Sequence, residues 1–189
     1  LQKMMPVLET LPGRSEYAIS KPAPVAPSSF FGARVFPVSE AFFDYWSNRA
    51  TVRGAKPWVA SLSEAFEKAT FRAGFDEQSP NLLLDGIGCG GHRHFDGNAI
   101  IRYSHRGRQW IADGDYIESL PKFHTSVLVY RDGQSESLPP FCALEAHADL
   151  ASAGMVRSAV RSYAGVDWSR SLVWLKDIGF VAMDSLKAV

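Results

Sequence analysis

Asn98-Ala99-Ile100-Ile101-Arg102-Tyr103-Ser104-His105-Arg106-Gly107-Arg108-Gln109-Trp110-Ile111-Ala112-Asp113 carries two runs of apolar, β-branched and aromatic residues on either side of an Arg-Gly pair. Two such runs around a short turn signal spell a β-hairpin. The pattern predicts strands over residues 98–103 and 109–113, paired antiparallel.

The same texture extends in both directions. Further strands are expected over residues 33–38, 70–75, 81–84, 126–130, 171–174 and 179–183, and Asp132-Gly133 is a second turn signal. Residues 150–163 carry apolar positions at both helical and alternating spacing, and the strand is preferred there. Ser61-Leu62-Ser63-Glu64 has the form of a capping box that could open a short helix, and is left open. Pro6, Pro12, Pro22, Pro24 and Pro27, followed by Ser28 and Ser29, mark residues 1–29 as an extended arm or linker, with a domain beginning near Phe30 and running to residue 189. The fold class read from this pattern is all-β.

The chain of 189 residues, 46% hydrophobic and 21% charged, has enough apolar content to build one core of ordinary size. Twenty basic and twenty acidic residues cancel, so no broad positive field would hold a nucleic-acid backbone. A local basic cluster could still bind an anionic sugar polymer. No stretch is apolar over the ~20 residues a membrane-spanning helix needs, and no secretory signal is visible at Leu1 to Thr10. Cys89 and Cys142 match no metal-binding spacing and read best as two buried thiols.

Chemistry concentrates in Gly88-Cys89-Gly90-Gly91-His92-Arg93-His94-Phe95-Asp96-Gly97-Asn98, in Asp113-Gly114-Asp115-Tyr116, and in Lys122-Phe123-His124. In an extended chain His92, His94 and Asp96 would share one face. The hairpin would return Asp113 toward His94, and a short loop would deliver His124. Two imidazoles and a carboxylate suit one divalent metal, Zn²⁺ in the first place. The same His-x-His spacing also fits a surface pair or a satisfied core pair. The glycines at 86, 88, 90 and 91 allow close backbone approach to something bulky, or mark a bulge.

These stretches, together with Leu82-Leu83-Leu84-Asp85-Gly86, Trp110-Ile111-Ala112-Asp113-Gly114 and Val127-Leu128-Val129-Tyr130-Arg131-Asp132-Gly133, resemble the central motifs of heparinase II/III-type polysaccharide lyases and related alginate lyases. Trp168-Ser169-Arg170-Ser171 through Asp184 is similar to later strands of that family that end on an Asp. The likeness runs from about Thr70 to Asp184.

That resemblance implies an antiparallel, supersandwich-like β-sandwich. It implies metal ligation by His94, Asp113 and His124, and a catalytic, substrate-facing His92 that neutralises a uronate carboxylate or shuttles a proton. Arg93 and Tyr116 are the expected substrate contacts. Where the family has Asp-Pro-Gly this chain has Asp113-Gly114-Asp115, which makes Asp115 an alternative ligand. Asp96 or Asn98 would orient the histidines from behind.

The implied partner is an anionic polysaccharide, and the implied location is the periplasm or the cell exterior. The base and acid of the family's β-elimination come largely from an N-terminal α/α-toroid, so the chain reads as an incomplete portion of such an enzyme. Two rivals remain. A cupin-like metal enzyme would want a Glu where Asn98 and Ala99 stand, and the other rival is a non-catalytic carbohydrate-binding or structural β-domain. Trp110 and Trp174 are expected in the core, and His105 and His147 on the surface.

Overall fold

The computed structural model describes residues 27–52, 60–88, 95–113, 120–135 and 138–189. Most of them form two antiparallel sheets packed face to face. The first sheet holds β1 (Gly32–Pro37), β2 (Phe66–Arg72), β3 (Asn81–Asp85), β4 (Ile100–His105) and β5 (Arg108–Ala112), in that spatial order. The second holds β8 (Ala143–Asp149), β9 (Ala153–Tyr163), β10 (Val166–Leu175) and β11 (Gly179–Ala188), with β11 and β8 at its edges. A small hairpin of β6 (Tyr130–Arg131) and β7 (Gln134–Ser135) stands apart. These open sheets form the expected all-β sandwich, and their strands lie in chain order rather than in the Greek-key order of a cupin-like jelly roll.

Alternation decides which side of each strand is dry. Phe66, Ala69 and Phe71 of β2 face Leu82 and Leu84 of β3, and meet Val156, Val160, Trp168, Leu172 and Trp174 from the second sheet. All ten are nearly inaccessible to solvent, and burying such side chains contributes on the order of 1.5–3 kcal/mol each. The sheets are also stitched at one edge, where the Asp149 carboxylate accepts from the Ala33 N–H (3.1 Å) and His147 Nε2 bonds the Ala33 carbonyl (2.8 Å).

The predicted hairpin is present with its two-residue turn. Arg106 (φ 56°) and Gly107 (φ 67°) both adopt left-handed backbone, which matches the right-handed twist of the flanking strands. Asp132 (φ 52°) and Gly133 (φ 77°) close β6 onto β7 in the same way. Within residues 150–163 the preferred strand is present as β9, Ala153–Tyr163. The arm of residues 1–26 lies outside the described residues; Pro27–Phe30 form a short 3-10 turn.

Several expectations need correction. The strand placed at 70–75 is β2 at Phe66–Arg72, because Asp76 takes the N–H groups of Gln78 and Ser79 and turns the chain early. Residues 126–129 are not a strand, although Val127 and Val129 pack on the core. There the chain follows side-chain anchoring, with Thr125 Oγ1 donating to the Ile100 carbonyl (2.7 Å). Trp110 is 58% exposed rather than buried, since Ile111 takes the inward position opposite Tyr103 and alternation turns Trp110 outward. Trp174 is buried, His147 is exposed and His105 is half-buried.

Glu64 Oε2 accepts from the Ser61 N–H (2.8 Å), one half of a capping box, and from the Ser61 hydroxyl (2.9 Å), and the segment closes a single turn before β2. A helix, α1 (Glu40–Val52), stands where no element was assigned. Ser39 precedes it as a cap, and Phe42, Phe43 and Trp46 form one face against Phe141, Ile87 and Val38. Strand β8 was likewise not anticipated. Among the described residues no helix is long and apolar enough to cross a membrane.

Replacing Leu172, fully buried between the sheets, by Ala should lower unfolding free energy by about 2–5 kcal/mol. Val181→Ala on the exposed edge strand should stay within about 0.5 kcal/mol, as read by urea denaturation of both variants.

Candidate metal centre

Three loops meet at one end of the first sheet. The β3–β4 connection brings Asp96 back to the sheet through a turn in which the Ala99 N–H bonds the Asp96 carbonyl (2.8 Å) and the Asn98 N–H bonds the Asp85 carbonyl (2.8 Å). Phe95 (φ 51°) and Asn98 (φ 66°) both take left-handed backbone there. The strand reading that placed Asp96 in alternation is therefore overturned at these residues. Asp113 immediately follows β5, its N–H extending the ladder to the Ile101 carbonyl (3.0 Å). His124 ends the 3-10 turn Pro121–Phe123, its N–H bonded to the Pro121 carbonyl (3.1 Å).

These placements put His124 Nδ1 at 2.7 Å from Asp113 Oδ1, with the imidazole fully buried. Asp96 is 7% exposed, and one ligand atom from each of Asp96, Asp113 and His124 lies within 4.8 Å of the others. Two carboxylates and an imidazole in a dry setting are a donor set that could hold a metal ion. His92, Arg93, His94 and Tyr116 lie outside the described residues, as do Cys89 and Asp115. Asp113 and His124, chosen from the sequence, are brought together. Asp96, expected behind the ligands, stands among them.

Negative charge accumulates around this point. Burial pushes the Asp85 carboxyl up to about 6, with the Asp96 carboxylate adding to the push and the Lys68 ammonium, at 2.6 Å, opposing it. Asp85 Oδ1 also accepts from the Ile87 N–H (2.9 Å), bending the chain at Gly86. An added Cβ at Gly86 would lie 2.1 Å from the Phe66 carbonyl oxygen, so the bend admits no side chain.

Behind the cluster sits a group that sequence reasoning did not single out. Arg170 of β10, 6% exposed, donates from Nη1 to the carbonyls of Asn98 (2.7 Å) and Thr125 (2.6 Å). Asn98 is two residues beyond Asp96, and Thr125 is next to His124. One guanidinium thus ties together the two loops that present those side chains. Its other edge meets Asp184 of β11 through Nε (2.8 Å) and Nη2 (2.9 Å), while Trp168 Nε1 donates to the same carboxylate (2.8 Å). Ser158 donates to the side-chain oxygen of the fully buried Asn98. Arg170 and Ser158, both buried in the second sheet, therefore fix the loops of the first, with Asp184 and Trp168 holding Arg170 in place. The only sequence signal was the Trp168-to-Asp184 stretch, which contains the pair without revealing that they touch.

Burial tends to raise the Asp184 pKa, but hydrogen bonds from Arg170 and Trp168 outweigh it and hold the carboxyl below its usual value of 3.8. A depressed folded-state pKa gives stability that is complete above the unfolded value and lost as pH falls through the folded one. Asp184→Asn should therefore cost about 1–3 kcal/mol at pH 7. The gap from the parent should close below about pH 4, in thermal melts taken across the acid range.

No family model matches the chain, and no curated protein matches it in sequence. Among solved structures, the crystal structure of heparan sulfate lyase HepC from Pedobacter heparinus is similar, with a TM-score of 0.55 and 17% sequence identity. The match covers 84% of this chain and 29% of the lyase. A mutant form of that lyase aligns with a TM-score of 0.48 at 16% identity, over 78% of this chain and 27% of its own. The chain thus spans less than a third of the length of the enzyme it matches, and the likeness is one of fold.

Proposed function

We propose that this chain is the β-sandwich part of a polysaccharide lyase that cleaves uronic-acid-containing glycans by β-elimination, and that it binds one divalent metal, Zn²⁺, beside a substrate-facing His92. The observation that carries the reading is the convergence of Asp96, Asp113 and His124 next to a Gly-His-x-His-x-Asp stretch. His94 is the further ligand the motif supplies. The sandwich domain starts near Phe30, with residues 1–29 as an arm, and the setting is periplasmic or extracellular.

A metal fits these residues. His124 Nδ1 and Asp113 Oδ1, 2.7 Å apart, are close enough for one ion to bind both, the neutral imidazole offering its lone pair at Nδ1 and the carboxylate an oxygen. The negative charge of Asp96 and Asp113 would be offset in place. When bound, the ion supplies fixed positive charge that holds the loops in register; it has no part in proton transfer.

In the elimination, a base takes the proton at C5, beside the carboxylate, and the bond from C4 to oxygen breaks. Charge developing on the carboxylate needs donors already in place. His92 and Arg93 supply them, and Tyr116 contacts the sugar. The base and acid come from a helical domain outside these 189 residues.

Adding a chelator to the purified chain should lower its melting temperature, and Zn²⁺ should restore it, whereas His124→Ala should melt at one temperature with or without metal. In a longer protein that contains this chain, uronate polymers should yield the ultraviolet absorbance of unsaturated uronate, and His92→Ala should abolish it while the fold persists. Metal-dependent melting with no unsaturated product from any uronate polymer would favour a non-catalytic binding or structural domain.

A further inference from the structure

Besides the metal centre, the sheet carries a second feature with recognisable chemistry. At the far end of the β4–β5 hairpin is an open cavity of about 520 Å³ bounded by Arg72, Arg102 and Arg108 together with Asn81, Gln109 and Phe75. Register explains the grouping. Arg72 pairs with Asn81, Asn81 with Ser104, and Ser104 with Gln109, so one row crosses four strands on the face turned away from the core. Arg102 lies two residues before Ser104 and projects from the same face. Gln109 on β5 and Asp113 just beyond it are four residues apart, so the cavity and the metal centre are separated by roughly 13 Å along the strand direction.

We propose that this cavity binds an anionic sugar unit, its carboxylate or sulfate held by Arg72 and Arg102 and its ring resting against Phe75. Three features support it. First, Arg72 and Arg102 line the same cavity, where burial, and then the charge of Arg102, lowers the Arg72 pKa. No carboxylate within ion-pair distance of either occurs among the described residues. An anion between them relieves that repulsion. Second, Asn81 is 8% exposed, yet its side-chain oxygen has no hydrogen-bond donor among the described residues. A sugar hydroxyl satisfies such an acceptor. Third, Phe75 is 59% exposed at the cavity wall, and the Arg72 guanidinium lies over its ring (4.7 Å), which holds that cation at the wall and leaves the remaining aromatic surface for the apolar side of a pyranose.

Two carboxylates also line the space. Asp76 is engaged by its own loop, through Ser79 Oγ (2.5 Å) and the N–H groups of Gln78 and Ser79, while Glu77 is exposed. Three guanidiniums against two carboxylates leave the cavity positive. Its volume matches that of small-ligand sites and accommodates one or two sugar rings.

The choice of a sugar as the anion's carrier rests on the glycan reading above, whereas the anion site rests on the arginines. Calorimetry on the full chain should use a sulfated uronate tetrasaccharide and its desulfated counterpart, each at two salt concentrations. The parent should bind at least one, more weakly at high salt, and the difference between the two separates sulfate from carboxylate recognition. Arg102→Glu, on an exposed side chain, and the double variant Arg72→Gln with Arg102→Gln should each weaken binding tenfold or more at an unchanged melting temperature. His124→Ala should bind as the parent does. Absence of binding of either tetrasaccharide by the folded parent would overturn the proposal, as would parent-like binding by folded Arg102→Glu. Loss of binding in folded His124→Ala would also overturn it, by assigning the interaction to the metal centre. Binding by this chain, together with no unsaturated product from the longer protein on any uronate polymer, would uphold this site and remove the lyase reading.

Discussion

A single buried guanidinium couples the two halves of this molecule. Arg170 leaves the second sheet, crosses the interior and donates to carbonyls on two loops of the first, Asn98 and Thr125, while Asp184 balances its charge. Burying a charge is costly unless it is paired and hydrogen-bonded, and here each edge of the fork has an acceptor. The loops concerned carry Asp96 and His124. The sandwich therefore does more than enclose a core: its second sheet sets the spacing of polar groups at the end of the first.

That arrangement accounts for a concentration of acid in a dry place. Asp85, Asp96 and Asp113 would repel one another at the head of the sheet. Lys68 answers the first of them, and His124 bonds the third. Local rigidity comes from backbone geometry, through Gly86 pressed against Phe66 and through left-handed Phe95 and Asn98. Backbone in such conformations persists where surrounding contacts over-determine it, and sites of this kind are where binding geometry is set in advance.

Local chemistry was the legible part of the sequence. The turn at Arg106-Gly107 and the alternation around it determine β4 and β5 from neighbouring residues alone, and Asp113 and His124 stand out by residue type. What failed depended on distant partners. Helix α1 is rich in Phe and Trp, which resembles strand composition; its helical character comes from docking three aromatic side chains on the cluster that contains Phe141, roughly a hundred residues away in sequence. Trp110 looked like core because it is large and apolar, but one residue of register decides its side of the sheet. Asp96 was placed by assuming an extended chain where the backbone turns. Arg170 and Asp184 are fourteen residues apart on paired strands, and nothing in a linear pattern marks that pairing as the anchor of two loops elsewhere.

The central claim is that Asp96, Asp113 and His124 surround one cation. X-ray diffraction from zinc-saturated crystals, collected on both sides of the zinc absorption edge, tests it most directly. The account predicts one strong anomalous peak enclosed by those three side chains. A zinc-saturated crystal with no peak there, or with its only peak elsewhere on the chain, would contradict it.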